Sequence, residues 1–99
     1  METLGITRFE DLVAHLDGLV NAARRTYVDR EAVDFVATIR RRLVRIHNHV
    51  DDRPYDAEPE ATPRDKTVRD TDDLIEQFGQ LTEAARGAGL PATVTHYLH

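Results

Sequence analysis

The sequence predicts a mainly α protein: a small three-helix bundle built from an antiparallel helical hairpin, an acidic linker and a third helix, with a short C-terminal β-strand. Three observations carry this fold class. Apolar residues recur at spacings of three and four along two stretches before residue 50 and one after residue 70. Three of the four prolines (Pro54, Pro59 and Pro63) fall in a run with seven acidic residues between those stretches. Beyond Gly87, Gly89 and Pro91 the helical spacing gives way to alternation.

The first helix is expected to begin at Thr7, because "TRFE" has the form of a capping box in which the Thr hydroxyl and Glu10 satisfy free backbone N–H groups. Phe9, Leu12, Leu16, Leu19 and Ala23 then form an apolar stripe flanked by Val13 and Val20. After a short connection at Tyr27 and Val28, Asp29 is placed to cap a second helix. In it Ala32, Val36, Ile39, Leu43, Ile46 and Val50 alternate spacings of four and three, a heptad seam suited to a near-parallel neighbour. The short connection makes the two helices an antiparallel pair.

Residues 51–70 hold few large apolar side chains, so they read as a linker within a single domain spanning 1–99, with Tyr55 its evident anchor. A third helix should start near Asp70 or Thr71, where Asp72 and Asp73 favour the positive end of the helix dipole. Its apolar face is Leu74, Ile75, Phe78, Leu81 and Ala85, and the glycines with Pro91 stop it. In "ATVTHYLH", Val94, His96 and Leu98 alternate onto one side of a strand that needs a partner for its backbone groups. Residues 10–24 align without gaps with residues 72–86, so helices 1 and 3 offer equivalent faces and helix 2 is expected between them.

Composition narrows the function. Ninety-nine residues with no cysteine exclude a disulfide framework and a thiolate zinc site. No apolar run is long enough to span a membrane. The N-terminus lacks the basic-then-apolar order of a secretory signal, so cytoplasmic residence is expected. The formal net charge of −5 disfavours charge-driven binding of nucleic acid.

The chemistry-bearing stretch is "RRRLVRIHNHVDDRPYDAEPE", Arg40 to Glu60. Its His47-Asn48-His49 string is not a nuclease motif, because that motif is spread over a hairpin and a following helix. Arg42 and His47 have the Arg-x4-His spacing that resembles the ribonuclease motif of HEPN-domain proteins, a helical and often dimeric family. The resemblance covers these two positions and implies a composite site in which Arg42 and His47 of two chains cleave RNA. Two features depart from that pattern. Leu43 stands where a polar residue commonly follows the Arg, and five residues of regular helix turn the side-chain direction by about 140°. His47, His49 and the nearby aspartates do not form the paired-His helical geometry of a zinc site, so neither a metal nor a cofactor is expected.

No catalytic set is assembled by the sequence. The expected function is a small, non-enzymatic regulatory or accessory module that binds protein, including a second copy of itself. The residues expected to bind a partner are Phe35, projecting from the flank of helix 2, and the strip of Arg41, Arg42 and Arg45. The alternative is a HEPN-like RNA-cleaving or nucleic-acid-binding protein using Arg42 and His47. His47 itself is expected largely buried, with Arg40 at the rim of the apolar face.

Overall fold

The computed structural model describes residues 6, 8–50, 52 and 62–88. Among them are three helices and no strand: α1 (Phe9–Arg24), α2 (Arg30–Val50) and α3 (Thr71–Gly87). The strand expected over 93–98, and Tyr55, lie outside the described residues. No described helix is long and apolar enough to cross a membrane.

Helix α1 starts two residues later than the expected cap. Arg8 is its N-cap, and the Asp11 carboxylate accepts from the Arg8 backbone N–H at 3.1 Å. With Phe9 as the first helical residue, the acid three positions past the cap is Asp11 rather than Glu10, which shifts the expected box by one residue. All five residues of the expected stripe are buried, together with Val13 and Val20. At its far end Arg25 and Thr26 donate backbone N–H bonds to Ala22 and Ala23, and the chain turns within residues 25–27.

Helices α1 and α2 run antiparallel, as the pairs Phe9 with His47 and Asp17 with Arg40 show. The core-facing side of α2 is rotated from the heptad seam, however. Val33, Val36, Ile39, Leu43, Val44, His47 and Asn48 are buried, whereas Ala32 and Ile46 are only partly so. The rotation carries Arg40 and His47 inward because each finds a partner on α1: the Asp17 carboxylate and the Phe9 ring. Their position at the edge of the apolar face predicts this placement: His47 is buried and Arg40 is half-buried at the rim.

Helix α3 is capped by reciprocal bonds. Asp70 Oδ1 accepts from the Asp73 N–H at 2.8 Å, and Asp73 Oδ2 accepts from the Arg69 N–H at 2.9 Å. The Asp29 N–H donates to Thr71 Oγ1 at 3.0 Å, tying the beginning of α3 to the beginning of α2. Two turns further along both helices, Phe35 meets Phe78. These two helices therefore set out in the same direction.

The middle helix is α1, not α2. Both other helices pack on it, and burial extends around it to Ala14, His15, Gly18 and Ala22 on the side away from the stripe. That side is covered by the end of the linker. The Arg64 N–H donates to the Ala14 carbonyl at 3.0 Å, and a side chain at Gly18 would overlap the Arg64 carbonyl oxygen. Val68 anchors this extended segment with 3% of its surface exposed, so this part of the linker is packed onto the bundle.

Candidate functional site

The outer face of α2 carries the residues expected to bind a partner. Arg41, Arg42, Arg45 and Phe35 are all exposed. Helical geometry sets Phe35 and Arg42, seven residues apart, on nearly the same line, with Arg45 and then Arg41 further round. The three arginines thus form one strip, and Phe35 lies at the edge of it that borders α3.

Phe35 keeps 57% of its surface exposed although its ring makes an edge-to-face contact with Phe78, centroids 5.9 Å apart at 73°. That arrangement suits the ring quadrupoles. Ile75, one turn before Phe78 on α3, is 59% exposed, and Phe78 is half-buried. Both were expected in the core. Leu74 and Ile75 are adjacent on a helix, so their directions differ by about 100° and only one can point inward. Leu74 does, being fully buried. The structure therefore builds an apolar patch of Phe35, Ile75 and Phe78 where α2 and α3 meet. The doubled apolar letters of "LI" were the sequence signal for its α3 half.

Next to the patch the charges differ by helix. The exposed acids Asp72, Glu76 and Glu83 occupy the outer side of α3, while the arginine strip occupies that of α2. Glu83 is paired with Arg86 at 3.3 Å.

Arg42 and His47 are not brought together. Arg42 is exposed on the outer face, and His47 is 91% buried with its ring stacked flat on Phe9. Nor does a metal site form, since no three His, Asp or Glu side chains converge among the described residues. The α1–α2 side carries a shallow groove of about 190 Å³, floored by Val20 and Ala37 and edged by Asp17, Arg24, Arg40 and Arg41. Sites for small molecules usually enclose about 300–1,000 Å³. This groove is too small for that role, and two of the charged side chains at its edge, Asp17 and Arg40, are paired with each other.

No protein-family model, curated protein or solved structure matches the chain.

Proposed function

We propose that this protein is a small accessory or regulatory interaction module of the cytoplasm, without catalysis of its own, which docks through its α2–α3 face and self-associates. The observation that carries the reading is the Phe35–Phe78 pair. Phe35 remains more than half exposed after making that contact, and Ile75 beside it is equally open. Apolar side chains scattered singly on a surface need no explanation, but an adjoining group rimmed by charge is the usual character of a protein-binding patch. Aromatic and Arg side chains are also the types enriched at such interfaces. Nucleic acid fits the same face poorly, because the face also carries the exposed acids of α3 and the chain is net negative.

Sedimentation equilibrium from low to high micromolar concentration tests the reading. The native chain should show a mass above that of one chain, and Phe35→Asp should return it to the monomer with its helicity intact. A monomer at every concentration would overturn the self-association. RNA cleavage by the purified protein, lost in a folded His47→Ala variant, would overturn the non-catalytic reading.

A further inference from the structure

We infer that the occupant of the α2–α3 face is a second copy of the chain, docked about a two-fold axis through the Phe35–Ile75–Phe78 patch. In this arrangement Arg42 and Arg45 of each copy lie against Asp72 and Glu76 of the other. The inference rests on the docking surface proposed above and names its partner and geometry.

The layout of charge is the main argument. Because α2 and α3 start together and run in the same direction, heights along them can be compared. Arg42 and Arg45 lie two to three turns beyond Phe35, toward the C-terminal end of α2. Asp72 and Glu76 lie before Phe78, toward the N-terminal end of α3, and all four side chains are exposed. Positive and negative groups thus stand at diagonally opposite corners of one apolar patch. A two-fold axis lying in the plane of the face, perpendicular to the line that joins those corners, turns a second copy onto the first, sets each basic corner on an acidic one and makes the match twice. An isologous interface needs this self-complementarity.

Two further observations fit a helix of a second copy as the covering element. Gly79 is exposed beside the patch and would meet nothing if it carried a side chain. Glycine inside a helix costs about 1 kcal/mol relative to alanine, and here it leaves bare backbone that a second helix can approach closely. The aligned residues of α1 are also instructive. Val13 and Leu16, the counterparts of Ile75 and Phe78, are buried in a helix that has α2 packed against it. On α3 the same pattern is covered only in part: Phe78 is half-buried and Ile75 is exposed.

Charge reversal tests the arrangement. One variant carries Arg42→Glu and Arg45→Glu, the other Asp72→Lys and Glu76→Lys. Circular dichroism checks that each folds, and Glu76→Lys alone replaces the second if its helix start is weakened. By sedimentation, each variant alone should dimerise about tenfold more weakly than the native chain, or worse, since like charges then face each other. An equimolar mixture should recover a heterodimer at concentrations where each alone is a monomer. If the native chain dimerises and Phe35→Asp prevents it, yet the mixture recovers nothing, the two-fold arrangement is overturned and the docking face stands. A native chain that stays monomeric overturns both.

Discussion

The imidazole of His47 lies flat on the ring of Phe9, with centroids 4.0 Å apart and planes within 9° of parallel. This stack closes the end of the α1–α2 hairpin and takes His47 away from the exposed arginines. It identifies His47 as a packing residue, with a shape that an aliphatic side chain can largely replace. His47→Leu should therefore keep its stability within about 1 kcal/mol, whereas Phe9→Ala should lose about 3–5 kcal/mol. Urea unfolding of both variants checks this. A His47→Leu loss as large as that of Phe9→Ala would show that the imidazole supplies more than its shape.

Two glycines inside helices make opposite predictions. Gly18 lies beneath the linker, where a Cβ would overlap the Arg64 carbonyl oxygen and press on the Lys66 stem. Gly18→Ala should destabilise the fold and lift the segment from α1. The Arg64 amide, which donates to Ala14, should then lose its protection from hydrogen exchange. Gly79 has open space around it, so Gly79→Ala should stabilise the monomer by about 1 kcal/mol through helix propensity. Equal effects of the two substitutions would contradict the close approach at Gly18.

Periodicity made the helices legible, and the start of α3 was readable from Asp70 and the acids after it. The packing around α1 was less so, for a physical reason. Periodicity counts apolar letters, but the surface that receives the linker is Ala14 and Gly18, residues that a stripe reading treats as neutral. A glycine in mid-helix was the available signal, because its cost in helix stability points to a backbone close by. Val68 was hidden in the same way, as one apolar side chain in a polar stretch. The candidate site was half legible: Phe35 and the arginines could be placed on the outside of α2 from helical angles alone. Its α3 half required knowing which of Leu74 and Ile75 faced α1.

The Asp17–Arg40 pair should be worth more than a surface salt bridge. The Arg40 Nε lies 2.9 Å from Asp17 Oδ1, an Arg40 Nη donates to Oδ2 at 3.3 Å, and the side chains are only 21% and 27% exposed. Exposed pairs contribute about 0–1 kcal/mol. Removing either partner here also leaves the other half-buried, so Asp17→Ala and Arg40→Ala should each cost about 1–2 kcal/mol. In a double-mutant cycle the second substitution should cost much less than the first. Strict additivity would mean that the contact contributes nothing of its own.

Lys66 offers a pH-dependent test of linker docking. Its pKa is pushed below the ordinary 10.5, mainly by burial and secondarily by the nearby Arg64 guanidinium. Both causes disfavour the charged ammonium in the fold. Below the folded-state pKa, Lys66 is charged in both states, so the native state bears the whole cost. Between that pKa and 10.5 the unfolded chain binds more protons than the native one, and stability from this group rises with pH. Lys66→Met keeps an apolar stem over Gly18 and removes the charge. It should melt above the native protein at pH 7, and the difference should shrink as pH approaches 10.5. Thermal melts of both proteins across that range measure it, with the variant subtracting every other titrating group. A difference that stays constant with pH would show that Lys66 keeps its charge at no cost, and hence that its side chain is not held against α1.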